Sequence, residues 1–398
     1  MIKEHRKYFN ENFTQENHEA LLREITEKFN HQPGFKIAET PVFIPHILRD
    51  RLFEATEEIM GFINHPDFKK ITNDAFYSPE IIIPNEDEKP KFIQLDFGIT
   101  LDEEGNPMPK LIELQGFPSL YFYQELLARM LRKYYKIPEG FSIHPNSITH
   151  LEFIELLRSE IVGDTDPKQV ILLEIEPEKQ ATAIDFYATE AILGIKILCI
   201  TKLKKRGKQL FYLDEDGNEI DVLKIYNRVI FDELYQRNDL QREFHFTDDV
   251  DVKWIGHPNW FFRISKFIMP LLTGKYVPKS YLLDKIEKLP TDLENYVLKP
   301  LYSFAGAGVH INVTPEIIQN VVNKSNYILQ EKVIYHPIIE TKDVPAKCEI
   351  RIMLLHNNES DKIQVISNLV RLSKGEMVGV KYNKDKTWVG GTTGFFEI

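Results

Sequence analysis

The chain has 398 residues, 43% of them hydrophobic and 12% aromatic, which supports two or three well-cored domains and excludes disorder as its general state. A formal net charge of -11, spread over mixed-sign segments, argues against a nucleic-acid footprint and against adhesion to an anionic membrane. An acidic chain that binds phosphate must do so locally, with a metal ion and a few placed cations.

No uninterrupted apolar run approaches the length of a membrane-spanning helix, and no apolar stretch follows the charged start MIKEHRKYFNENF, so a cytoplasmic protein is expected. Cys199 and Cys348 sit in strand-like runs and are expected as buried reduced thiols. Common phosphate-loop, zinc-protease, nucleophile-elbow and dinucleotide motifs are absent, as are internal repeats.

Apolar residues at helical period predict an amphipathic helix over Thr14–His31 and a second over Ile44–Phe62, both as scaffold. From Phe92 to Ile99 the texture is that of a strand presenting Asp96. A turn-rich loop follows over Asp102–Pro109, and a return strand over Lys110–Gln115 carries Glu113 and Gln115. Residues two apart on a strand share a face, so Glu113 and Gln115 point together and Asp96 can join them across the hairpin. Two carboxylates and an amide oxygen suit Mg²⁺; the alternative is that they are the solvent-facing half of an amphipathic hairpin. A helix is expected from about Leu120 to Tyr135.

From Val170 the pattern becomes a βαβ unit of a parallel sheet: VILLEIEP, a helix over Glu178–Leu193, then IKILCI. The Asp-Gly-Asn turn inside QLFYLDEDGNEIDVL predicts a hairpin. Arg228 is a candidate for a substrate carboxylate or for a surface salt bridge.

The last third opens with a helix-like segment, Asn259–Met269, in which Lys266 either snorkels or meets an anion. A strand over Tyr296–Leu298 delivers Lys299, and the small-residue stretch Ser303–Gly308 follows, with strand character returning at Val309–Ile311. Gly306 and Gly308 let backbone N–H groups approach phosphate while Lys299 supplies charge; the alternative is an ordinary hairpin loop. Tyr327–Tyr335 is an extended run whose end can serve as an adenine-side hinge. Two antiparallel strands turning over His356–Asp361 carry Arg351 and Arg371, and Asn383 with Gly390-Gly391 forms a loop shaped for close approach to a ligand.

In these residues and their order the sequence resembles the circularly permuted ATP-grasp family, in particular the synthetase domain of glutathionylspermidine and trypanothione synthetases. Glu113-Leu114-Gln115 resembles an E-x-N metal motif lying upstream of both lysines, which is the permuted order. The match covers Asp96–Ser119, His257–Ile311 and Leu329–Gly394, more than a third of the chain. The resemblance implies an α/β protein with α+β elements, an ATP-grasp fold, circularly permuted, preceded in type by a Rossmann-like domain. The expected division is 1–150 with the metal-ligand hairpin, 151–255 as the Rossmann-like domain, and 256–398 as the nucleotide-binding part. It further implies Mg²⁺ on Asp96, Glu113 and Gln115. Nucleotide phosphates would lie on Lys266 and Lys299 under Ser303, Gly306 and Gly308, with an adenine hinge of Gln330, Glu331 and Val333. Arg351, Arg371 and Asn383 carry over more loosely as catalytic groups.

Three departures stand out: Gln115 replaces asparagine, Phe304-Ala305-Gly306 stands where an Arg-Glu pair precedes the glycine, and Gln94 replaces an arginine. The implied activity is ATP- and Mg²⁺-dependent joining of a carboxylate to an amine through an acylphosphate, with small-molecule or peptide substrates. A nucleotide-binding protein without turnover and a structural or interaction protein are the alternatives.

Overall fold

The computed structural model describes residues 1–303, 306–379 and 382–398, and every side chain among them except that of Asp232. The site rests on a five-stranded antiparallel sheet whose order is Gly390–Thr392, Lys362–Ser373, Lys347–Asn357, Phe92–Leu101, Pro107–Gln115. It draws on residues far apart in sequence: the hairpin of residues 92–115 pairs through Phe92–Leu101 with the strand Lys347–Asn357. Alternation divides its faces. Ile93, Leu95, Phe97 and Ile99 join Ile350, Ile352 and Leu354 in one hydrophobic core, while Gln94, Asp96, Glu349 and Arg351 belong to the other face.

A smaller antiparallel sheet, ordered Ser280–Leu282, Tyr327–Glu331, Tyr296–Pro300, carries Lys299 and Gln330. Between these parts of the chain lies a parallel sheet ordered Lys253–Ile255, Lys224–Asn227, Val170–Glu174, Lys196–Cys199, with the helix Ala183–Leu193 crossing between its last two strands. The Asp-Gly-Asn turn joins Gln209–Leu213 to Glu219–Val222, as its turn chemistry requires.

Several elements differ from expectation. The first scaffold helix is Gln15–Phe29, capped by Thr14, but a helix over Lys3–Asn12 precedes it. The second is His46–Ile63; Ile44 instead closes the short strand Val42–Ile44, because Pro45 disfavours helical backbone at the residue before it. The expected helix over 178–193 begins only at Ala183, after a tight turn at Pro177–Lys179. The segment 259–269 is not one helix. It breaks after Asn259–Arg263 and resumes as a tight turn, Lys266–Leu271, where the Ser265 hydroxyl caps the new start and Pro270 removes a donor. Among the described residues Val309–Ile311 forms a single bridge, His310 to Leu298, and the extended run from Tyr327 leaves its sheet after Glu331. Cys348 is buried but Cys199 is half-buried, and both are free thiols. No helix among the described residues is long and apolar enough to cross a membrane.

Candidate functional site

Strand register brings the acids together. Asp96 lies opposite Glu113 on one side and opposite Arg351 on the other; Gln94 lies opposite Gln115, and Glu349 opposite Arg371. A bulge after Asp96 adds Ile112 to the partner strand. Asp96 is gripped by arginines. Arg351 holds its carboxylate at two points, Nε to Oδ1 at 2.5 Å and Nη2 to Oδ2 at 2.7 Å, and Arg371 adds a contact to Oδ2. Burial by itself would raise the Asp96 pKa, but the two guanidinium groups outweigh it and hold the carboxyl below its usual range. Both Asp96 oxygens accept from arginines. Among the described residues no group of three or more His, Cys, Asp or Glu side chains is arranged to hold a metal.

Glu113 and Gln115 remain. Gln115 donates through Nε2 to Gln94 Oε1 at 2.6 Å, and that oxygen also accepts from Arg351 Nη1 at 3.0 Å. Glu113 is half-buried, with Lys266 Nζ 3.5 Å from its Oε2. Burial works to raise the Glu113 pKa; Lys266, Arg371 and Lys299 overcome it, so the carboxyl sits below its ordinary value.

The two lysines come from separate segments and meet at the same strand. Lys299 Nζ donates to the Ile112 carbonyl at 2.9 Å, and Lys266 Nζ donates to the Ser303 carbonyl at 2.8 Å. Burial pushes Lys299 down to about 8, with Glu113 opposing. Gly306 and Gly308 take left-handed backbone at φ 74° and 70°, and a Cβ on Gly308 would stand 2.8 Å from Pro300 Cγ. The Ser303 hydroxyl is buried with no partner among the described residues. Phe304 and Ala305, the neutral pair of the glycine loop, lie outside the described residues. Glu113, Gln115, Phe117, Lys266, Tyr302 and Ser303 line a cavity of about 20 Å³, room for roughly one water.

The remaining expected residues fall in three places. Gln330 is buried, its Nε2 3.5 Å from the Leu111 carbonyl and its Oε1 without a partner among the described residues. The amides after it are already used: Glu331 N donates to Lys279 O at 2.8 Å and Lys332 N to Asn295 O at 2.7 Å, after which Val333 follows in irregular chain. Arg371 bridges Asp96 and Glu349, and Tyr335 Oη donates to Glu349 Oε2 at 2.6 Å. Asn383 does not reach this cluster. Its amide ties its own loop, accepting from Lys374 N at 2.9 Å and donating to Gly379 O at 3.1 Å.

Sequence reasoning missed Glu349, whose burial raises its pKa, and the edge of the parallel sheet. Strand order there reverses between Val170–Glu174 and Lys224–Asn227, the crevice where open parallel sheets bind ligands. Glu174 ends one of these strands, and burial pushes its carboxyl up to about 8 against the pull of Arg228. The Arg228 guanidinium lies 5.2 Å from the Phe186 ring centroid, with Nε and Nη1 buried and unpartnered among the described residues. Arg228 is thus no surface salt bridge. An acid closing an otherwise apolar strand, VILLE, was the available signal.

The architecture is a mixed α/β fold with several sheets, compatible with an ATP-grasp-like fold. No family model matches the chain, and no curated protein matches it in sequence. Among solved structures it resembles a glutathione synthetase-like effector (GSS30) from Globodera pallida in its apo form, with a TM-score of 0.57 at 13% identity over 97% of this chain and 98% of that one. At that identity the likeness speaks for the fold alone.

Proposed function

We propose that the chain is an ATP-dependent carboxylate–amine ligase of the circularly permuted ATP-grasp type. The observation that carries this reading is the convergence of Lys266 and Lys299, from two different segments, on the strand that holds Glu113 and Gln115, beside glycines in left-handed backbone. Such an arrangement suits a polyphosphate: two ammonium groups neutralise charge on the transferred group, and loop amides orient it.

Transfer of the terminal phosphoryl group to a substrate carboxylate gives an acylphosphate, from which an amine displaces phosphate. Lys266 and Lys299 hold the phosphates in place, and positioning with charge neutralisation supplies the rate. Arg228, buried at the sheet crevice with Nε and Nη1 unpartnered among the described residues, is the anchor for a carboxylate of the substrate. Magnesium fits Glu113 and Gln115, which line one cavity with Lys266, and Asp96 lies opposite Glu113 on the neighbouring strand. A bound Mg²⁺ would share those oxygens with phosphate and screen its charge.

A second reading, nucleotide binding without turnover, is favoured by the commitment of Asp96 to Arg351 and Arg371. Thermal unfolding with ATP and Mg²⁺, beside Lys299→Ala and Glu113→Ala, tests both. Ligand at about a hundred times its dissociation constant adds roughly 2.7 kcal/mol to wild type. Loss of that response in folded variants supports the site, and carboxylate-dependent phosphate release then separates ligase from binder. A wild type that no nucleotide stabilises overturns both.

A further inference from the structure

The segment from Lys69 to Glu86 belongs to neither antiparallel sheet, yet it is bonded to both cationic sides of the candidate site. Arg263 ends the short helix Asn259–Arg263 and is buried. Its Nε and Nη2 grip Glu86 at 2.5 and 3.0 Å, and its Nη1 reaches Lys69 O at 2.6 Å, Thr72 Oγ1 at 3.0 Å and Asn73 Oδ1 at 3.1 Å. At the helix's other end Asn259 accepts from Ile83 N and donates to Ile83 O, both at 3.0 Å, and His257 Nε2 lies 2.8 Å from Pro84 O. A five-residue helix has little stability of its own, so these bonds fix it. Lys266 follows three residues later.

The same segment reaches the glycine loop. Tyr302 Oη donates to the Ala75 carbonyl, and the Tyr302 ring packs 5.6 Å from Phe262 of the short helix. Ser303, the next residue, accepts from Lys266 Nζ at 2.8 Å. The contacts close a ring: strap, Arg263, Lys266, Ser303, Tyr302, and back to the strap.

We propose that residues 69–86 form a strap that sets the spacing between Lys266 and the glycine loop, with Arg263, Glu86 and Tyr302 as positioning residues for nucleotide phosphates. This rests on the proposed nucleotide site. The strap touches the phosphate-gripping elements at Arg263 and Tyr302, and the hydrogen bonds of Arg263, Asn259, His257 and Tyr302 described above run to the strap and not to the expected adenine hinge, Gln330 to Val333. Loosening it therefore weakens phosphate recognition and leaves nucleoside recognition alone.

The test is calorimetric titration of wild type, Tyr302→Phe and Glu86→Gln with Mg²⁺–ATP and with adenosine, beside apo melting temperatures. Tyr302→Phe removes one hydroxyl and keeps the ring, so it reports on the spacing even where Glu86→Gln fails to fold. The expected result is that Tyr302→Phe weakens ATP by about tenfold with adenosine unchanged. Parallel loss of ATP and adenosine affinity, or no change in either, overturns the strap as a positioning device. A wild type that binds ATP no better than adenosine overturns the nucleotide site itself and the strap with it.

Discussion

Arg351 closes on Asp96 as a cross-strand, two-point ion pair at 2.5 and 2.7 Å, with Arg371 on the same carboxylate. Removing that carboxylate strands the buried Arg351 guanidinium and leaves Arg371 with Glu349 as its acid. Asp96→Asn is expected to lose roughly 3–5 kcal/mol of stability, the cost of breaking a buried pair from one side. Urea unfolding with and without Mg²⁺ measures it. A variant as stable as wild type that has lost only a Mg²⁺ response would assign Asp96 to the metal.

Lys299 gives the phosphate site a pH dependence. Burial lowers its pKa to about 8, so its contribution to stability is complete above its unfolded value and is lost as pH falls through about 8, where the buried ammonium forms. A bound anion favours that ammonium. Between about pH 8 and the ordinary lysine value, binding therefore takes up a proton, and nucleotide affinity drops by up to about tenfold per pH unit. Titrations at pH 7, 8.5 and 9.5 should show this drop, and Lys299→Arg should flatten it. A pH-independent wild type removes Lys299 from the phosphates.

Glu174 works in the opposite sense. Its carboxyl is raised to about 8, first by burial, so its stabilising share is present below the ordinary glutamate value and is lost as pH rises towards 8. Glu174→Gln should gain stability relative to wild type as pH goes from 5.5 to 8.5, by an amount on the order of 1–3 kcal/mol. Chemical unfolding at the two pH values measures the difference. An offset that does not change with pH would mean that Glu174 is ionised throughout.

What could be read from the sequence was what local chemistry decides. The hairpin of residues 92–115 was legible because apolar residues alternate along it, and the parallel strand Val170–Glu174 because it is apolar throughout. The partners of Asp96 were not legible. Arg351 is 255 positions away along the chain, and nothing local in FIQLDFG states that its acid meets two arginines. The break after Arg263 had a signal in Ser265 and Pro270 that helical periodicity overrode. The strap had none, because Arg263, Glu86 and Tyr302 meet only through tertiary packing.

Asn383 offers the clearest separation of structural from catalytic work. Its Oδ1 accepts from Lys374 N at 2.9 Å and Gly375 N at 3.1 Å, and its Nδ2 donates to Met377 O at 3.2 Å and Gly379 O at 3.1 Å. Gly375 lies against the Tyr382 carbonyl closely enough that a Cβ would come within 2.4 Å of it. Asn383→Ala leaves buried backbone groups unpaired and should cost about 1–3 kcal/mol. Asn383→Asp keeps the acceptor but sets a charge against the Met377 and Gly379 carbonyls, and should be no better. Hydrogen exchange should accelerate first at the amides of Lys374 and Gly375, with the strand pairing of Lys347–Asn357 still protected. If both variants kept wild-type stability and exchange while nucleotide turnover fell, Asn383 would be acting on the substrate and not on its loop.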